Sequence, residues 1–217
     1  MGNWNDVLSY SGKYLSGLGI TLEVSLYALL LSLAIGVVIA IFRVTSSKLL
    51  NAFGAAYVEF FQNTPLIIQV FFFYYGSPAM GLNISGLACG TLGLAVYTGA
   101  YMGEVFRAGI QAVPKGQMEA ARSSGMNYLQ AMGYVILPQA VKIILPPLTN
   151  QMVNMVKNSA ILSTIAVTDL MYQTYLISSD TFIVFEVFIF AALLYLTITV
   201  PLSTFANLLE RRLQRSS

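Results

Sequence analysis

Apolar runs of about twenty residues alternate with short polar intervals along nearly the whole chain, a pattern that predicts membrane-crossing helices. The runs fall at about 18–42, 53–75, 87–106, 141–170 and 182–209, giving five spans in a single domain, 1–217. One long polar interval, 107–140, separates the third run from the fourth. The first run exceeds a signal-peptide core and has neither a basic leader nor a small-residue cleavage site, so it is expected to be retained. Before it, Trp4, Tyr10 and Tyr14 are amphipathic rings suited to an interface. The second run carries Glu59, Gln62, Asn63, Pro65 and Gln69, and Pro65 predicts a bend. The third is rich in glycine and small residues that allow close helix packing. Pro146-Pro147 predicts an interruption of the fourth.

The polar interval reads as a helix, a tight turn and a helix. A first helix is expected over Gln117 to Ser124, ended by Gly125, which can take the left-handed cap without a Cβ. Asn127 followed by Gln130 has the spacing of a capping box, so a second helix should start there and stop at Pro138. Ala120, Ala121 and Gly125 then leave a small-residue surface for close approach by another backbone. The Glu119 carboxylate stands beside it, near the positive end of the helix dipole.

Composition narrows the function classes. At 217 residues, 57% hydrophobic and 9% charged, the chain is far less charged than soluble domains, where about a quarter of residues are. It contains no histidine, which removes the commonest general base and metal ligand, and no metal site is expected. Its one cysteine, Cys89, lies in an apolar stretch and reads as a small buried hydrophobe. No GxxxxGK[ST] loop is present to cradle phosphates, so any ATP hydrolysis belongs to another subunit. The net charge of +2 is too small to suggest nucleic acid, and the placement of the charges says more. Arg43, Lys48, Arg107, Lys115, Arg122, Lys142, Arg211, Arg212 and Arg215 all fall on one side of a five-span topology. The opposite loops, Ser77 to Ser85 and Tyr172 to Thr181, carry no Lys or Arg. The positive-inside rule makes the first side cytoplasmic, with the N-terminus outside and the C-terminus inside.

Two polar stripes remain inside the spans. Asn150, Asn154, Lys157 and Asn158 stand at i, i+4, i+7 and i+8 on one helix face, with Gln151 on its flank. A charge at the bilayer centre costs about 2.5–3.5 kcal/mol on insertion scales, so Lys157 needs a partner, a protein interior or water. The plainer reading is that the amides bond neighbouring helices while Lys157 snorkels to the outer interface. Glu59, Gln62, Asn63 and Gln69 share a face of the second span, and the two stripes are expected to face each other. Glu104 and Arg107, at i and i+3, are spaced to pair, either as a gate or as a simple interfacial ion pair.

The interval Glu119-Ala120-Ala121, three residues, Gly125, then Leu137-Pro138 resembles the EAA loop of the membrane subunits of ATP-binding-cassette importers. Gly99-Ala100-Tyr101, Glu104 to Arg107, and Gly109 through Gln117 resemble the lead-in of the polar amino acid permeases. Asn63-Thr64-Pro65-Leu66, Asn150-Gln151 and Lys157-Asn158-Ser159 are similar to further motifs of that subfamily. Two departures are visible: Met132 replaces a frequent aromatic, and Gly133-Tyr134 replace basic residues. The resemblance implies an all-α permease with the type I importer fold, its loop forming a cytoplasmic coupling helix between the third and fourth spans. Glu119, Ala120, Ala121, Gly125 and Pro138 are the implied ATPase-coupling residues. It also implies partners: ATPase subunits carrying ATP and Mg, a second permease chain, identical or related, and an extracytoplasmic amino acid binding protein, all at a bacterial inner membrane. Asn63, Gln69, Asn150, Gln151, Asn154 and Asn158 are the implied substrate contacts, with Lys157 near a carboxylate. Members that carry cationic amino acids place carboxylates where this chain has Gln151 and Asn158, which points to a neutral or acidic substrate such as glutamine or glutamate. An ion-coupled transporter or channel using the same stripes is the alternative; it would call for repeats and intramembrane acids, and the fourth-span stripe has no acid.

Overall fold

The computed structural model describes residues 4–214, so Arg215 of the basic C-terminal group lies outside the described residues. A short helix α1 (Trp4–Ser9) precedes α2 (Ser11–Val44), whose 34 residues extend about 51 Å at 1.5 Å per residue. Tyr14 is not an interfacial ring. It is fully buried with Val7, Leu170, Ile177 and Val187, because α2 already runs through it and turns it onto the last helix of the chain, where its hydroxyl donates to the Val187 carbonyl at 3.4 Å.

The expected bend in the second run is a break. Helix α3 (Lys48–Asn63) stops and α4 (Leu66–Ala79) restarts after Thr64 and Pro65, whose ψ values of 132° and 134° are extended rather than helical. Pro65 has no N–H for the carbonyl four residues earlier, on Phe61. The Gln69 amide supplies the missing donor, bonding the carbonyls of Phe61 at 2.9 Å and Thr64 at 3.0 Å.

Helix α5 (Gly86–Gln111) is the centre of the bundle, packed on α2, α3, α4 and α8. Its small residues allow this. Gly99 and Gly103 sit against Ile35 and Ile39 of α2, and Gly36 of α2 sits against Met102.

The polar interval folds as α6 (Lys115–Ser123) and α7 (Tyr128–Ala131). The turn between them is a Schellman motif: the Gly125 N–H bonds the Arg122 carbonyl, the Met126 N–H bonds the Ala121 carbonyl, and Gly125 has φ +86°. Because α6 begins at Lys115, Glu119 stands beyond its first turn rather than at the positive end of its dipole.

Pro138 does not end the second helix. A π-helical turn (Met132–Ile136) carries it into α8 (Leu137–Asn158), with the Leu137 N–H reaching back five residues to the Met132 carbonyl. At ordinary α spacing the proline would leave the Tyr134 carbonyl without a donor, and the wider turn makes room for its ring. Nor do Pro146 and Pro147 interrupt α8: the helix continues through them to Asn158, although they leave the Lys142 and Ile143 carbonyls without their usual backbone donors. A 3₁₀ turn (Ser159–Ile165) follows.

The segment expected as a loop at Tyr172 to Thr181 is helical, α9 (Leu170–Thr181). Asp169 caps it by accepting the Tyr172 N–H at 2.9 Å, and Thr21 of α2 accepts the Leu170 N–H. The last helix is α10 (Phe185–Gln214). Among the described residues three helical runs are long and apolar enough to cross a membrane, Ser11–Val44, Tyr128–Ile165 and Phe185–Leu213. The α3–α4 pair is divided by its break, and glycine dilutes the apolar character of α5.

Candidate functional site

The α8 stripe survives folding as an open polar face. Thr149, Val153, Met155 and Val156 turn into the protein, whereas Asn150 and Lys157 are exposed and Gln151, Asn154 and Asn158 are half-buried. Among the described residues, none of these five side chains makes a hydrogen bond or ion pair within the chain. Four amides and an ammonium with no internal partner, on a helix embedded in an apolar bundle, call for a polar partner from outside the chain.

The second-span stripe is less complete. Glu59 and Asn63 are exposed, but Gln69 is 4% exposed, and its amide nitrogen is spent on the helix break. The Gln69 nitrogen is thereby committed to the break, while its side-chain oxygen has no partner among the described residues and the residue lines a cavity with Phe61, Thr64 and Phe73. The two stripes also do not pack against each other within one chain: α3 lies on α2 and α5, while α8 lies on α5, α10 and α2.

At the other end of the bundle, Glu104 pairs with Arg107 as the i, i+3 spacing predicts, at 2.6 Å. The sequence reading missed its second partner. Arg43, at the end of α2, donates from Nε to the other Glu104 oxygen at 3.0 Å, and the Asn51 amide of α3 bonds the Arg43 carbonyl at 2.7 Å. Arg107 in turn donates to Gln111 at 2.6 Å. One carboxylate thus ties α2 to α5, and through Arg43 to α3, about two helical turns before α5 ends at Gln111. No local spacing reveals a contact across sixty-one positions; the only signal was that Arg43 closes a membrane helix on the basic side.

The α6 turn presents Glu119, Ala120 and Gly125 to solvent. Ala121 faces the other way. It is 6% exposed, because α6 packs on the π turn, so it seats the helix and contributes nothing to an open small-residue surface. The capping box forms as the spacing predicts: the Gln130 N–H bonds Asn127 Oδ1, and the Asn127 N–H bonds Gln130 Oε1, both at 2.9 Å. Leu129 and Tyr134, 78% and 77% exposed, put apolar surface beside this polar turn. Pro138 is exposed at the start of α8. Among the described residues no three His, Cys, Asp or Glu side chains gather as metal ligands.

The model of the family described as "Binding-protein-dependent transport system inner membrane component" matches residues 32–215. A curated relative from Bacillus subtilis (strain 168), the probable glutamine ABC transporter permease protein GlnM, is 53% identical over 203 residues, covering 94% of each chain. A probable amino-acid ABC transporter permease protein from Vibrio harveyi, PatM, is 34% identical, covering 99% of this chain and 97% of its own. Among solved structures, one described as an amino acid ABC transporter with histidines superposes with a TM-score of 0.92 at 39% identity, covering 98% of this chain and 99% of that one. The inward-facing MetNI methionine ABC transporter shares the fold at a TM-score of 0.70 and 18% identity.

Proposed function

This chain belongs to the family of binding-protein-dependent transport system inner membrane components, and from that premise we propose that it carries glutamine or a closely similar polar amino acid into the cell. It is the permease subunit of an ABC importer for amino acids, not itself an enzyme. The family assignment displaces the ion-coupled alternative.

In the proposed mechanism the substrate arrives from an extracytoplasmic binding protein. It passes along the α8 stripe, where Asn150, Gln151, Asn154 and Asn158 offer amide donors and acceptors and Lys157 offers a cation to a carboxylate, with Asn63 contributing from α3. A second permease chain faces the stripe and completes the path. Five passes, with α3–α4 counted as one broken pass, put the N-terminus outside and α6 inside. There Glu119, Ala120, Gly125 and the neighbouring Leu129 and Tyr134 meet an ATPase subunit, which binds ATP and Mg and drives alternation between outward and inward access. Ala121 supports that surface from behind, and Pro138 adds an exposed residue at the start of α8. The Arg43–Glu104–Arg107 group is the candidate inner gate.

The observation that carries the substrate assignment is the unpartnered stripe of neutral amides on α8, without a carboxylate. Amides pair equally well with the side-chain amide of glutamine, whereas a cationic side chain would bring an uncompensated charge into the path. The relative named as a probable glutamine permease points the same way. Competition against labelled glutamine uptake, in vesicles holding the assembled transporter, tests it. Glutamine should displace label far better than arginine, and the Gln151→Glu/Asn158→Asp variant should improve arginine competition about tenfold, a shift of about 1.4 kcal/mol. Equal competition by arginine in the parent would overturn the assignment.

A further inference from the structure

The π turn that carries the chain past Pro138 is braced by one side chain. Gln139 points its amide nitrogen at the Val135 carbonyl, 2.8 Å away inside that turn, and the same nitrogen donates to Gln117 Oε1 of α6 at 3.3 Å. The orientation of this amide follows from chemistry, since a backbone carbonyl can only accept. Gln139 is therefore the donor in both bonds and Gln117 the acceptor. Among the described residues this is the only side-chain hydrogen bond between α6 and α8.

Its setting gives it leverage. A cavity of about 510 Å³, lined by Val44, Ile110, Met118, Tyr128 and Met132 among others, separates α6 from the ends of α2 and α5. Helix α6 rests chiefly on the π turn and on α7, with Met118 packed against the cluster of Val113, Ile136, Ala140 and Ile144. A π turn is a weak point in a helix and frequently marks a functional site. Left unbraced, it would absorb a push from α6 as local distortion instead of passing it along α8 to the stripe at Asn150–Asn158.

We propose that Gln117 and Gln139 are positioning residues for energy coupling: together they lock α6 to the π turn, so that displacement of α6 by the ATPase moves α8 as one body. The proposal rests on the reading of α6 as the coupling helix. Neither residue touches substrate or ATP.

The test is to measure glutamine taken up per ATP hydrolysed by the assembled transporter, with its ATPase and binding protein, in proteoliposomes. The polarity of the bond makes nearly isosteric variants discriminating. Gln117→Glu keeps the acceptor and should retain the parent ratio. Gln139→Glu removes the donor, sets a carboxylate against the Val135 carbonyl, and should lower the ratio at least fivefold while ATP hydrolysis continues. Gln117→Met, on an exposed position of a helix it does not perturb, removes the acceptor and should lower the ratio in the same direction even if Gln139→Glu fails to assemble. The proposal is overturned if Gln117→Met keeps the parent ratio, or if Gln117→Glu and Gln117→Met are indistinguishable. Failure of the broader reading looks different, because the parent itself would then show no ATP-dependent uptake.

Discussion

Glu104 is satisfied on both oxygens, by Arg43 on one and by Arg107 on the other, and the three side chains are only a fifth to a quarter exposed. Two guanidinium groups so close to each other are held together by the carboxylate between them. Hydrogen bonds to charged groups contribute about 1.5–3 kcal/mol each where solvent is excluded, and partial exposure brings these towards the lower end. Glu104→Ala is therefore expected to destabilise the folded chain by about 2 kcal/mol, and Glu104→Gln, which keeps an acceptor but not the charge, by less. Thermal unfolding in detergent, followed by the loss of monodisperse protein, checks the order. Equal midpoints for Glu104→Ala and the parent would show that the group holds nothing together.

At the scale of elements, the α3–α4 break makes a prediction about coupling between two residues. Gln69→Leu removes the donor to the Phe61 and Thr64 carbonyls and should cost about 1–3 kcal/mol for the groups left unsatisfied. Pro65→Ala restores an N–H at the position Phe61 needs, so Gln69→Leu should cost less in that background. A double-mutant cycle of unfolding midpoints reads the difference, and strict additivity would contradict the capping role. The same elements show what a sequence makes legible. The α6–α7 turn was readable because its signals are local: Gly125 and the Asn127–Gln130 spacing determine their own hydrogen bonds within six residues. Pro138 was misread because a helix in an apolar bundle can accommodate a lost N–H by means that leave little trace in spacing, here a π turn before the proline, and at Pro146 and Pro147 the helix runs on through both. Tyr14, Ala121 and Arg43 were misplaced or missed for a different reason. Their surroundings are made by residues distant along the chain, Val187, the π turn and Glu104, and no periodicity encodes which distant neighbour arrives.

The molecule as a whole separates two chemistries along its length. One end holds Lys13 paired with Asp180 at 3.6 Å and the α9 cap; the other holds the Arg43–Glu104–Arg107 group and the α6 turn; between them runs α8 with its stripe of amides and Lys157. Helix α8 is continuous in the helical run that begins at Tyr128, so a single element joins the α6 turn to the stripe. The central claim is that α6 is where a separate ATPase takes hold. It is tested most directly by isolating the tagged chain from its native membrane under mild extraction and assaying the material for ATP hydrolysis. An Ala120→Asp variant is assayed beside it. Ala120 is the right position because it is exposed, whereas a charge at the buried Ala121 would disturb the seating of α6 itself. The account predicts ATPase activity that accompanies the parent and is lost with the folded variant. Folded parent that carries no ATPase, or a variant that retains as much as the parent, would contradict it.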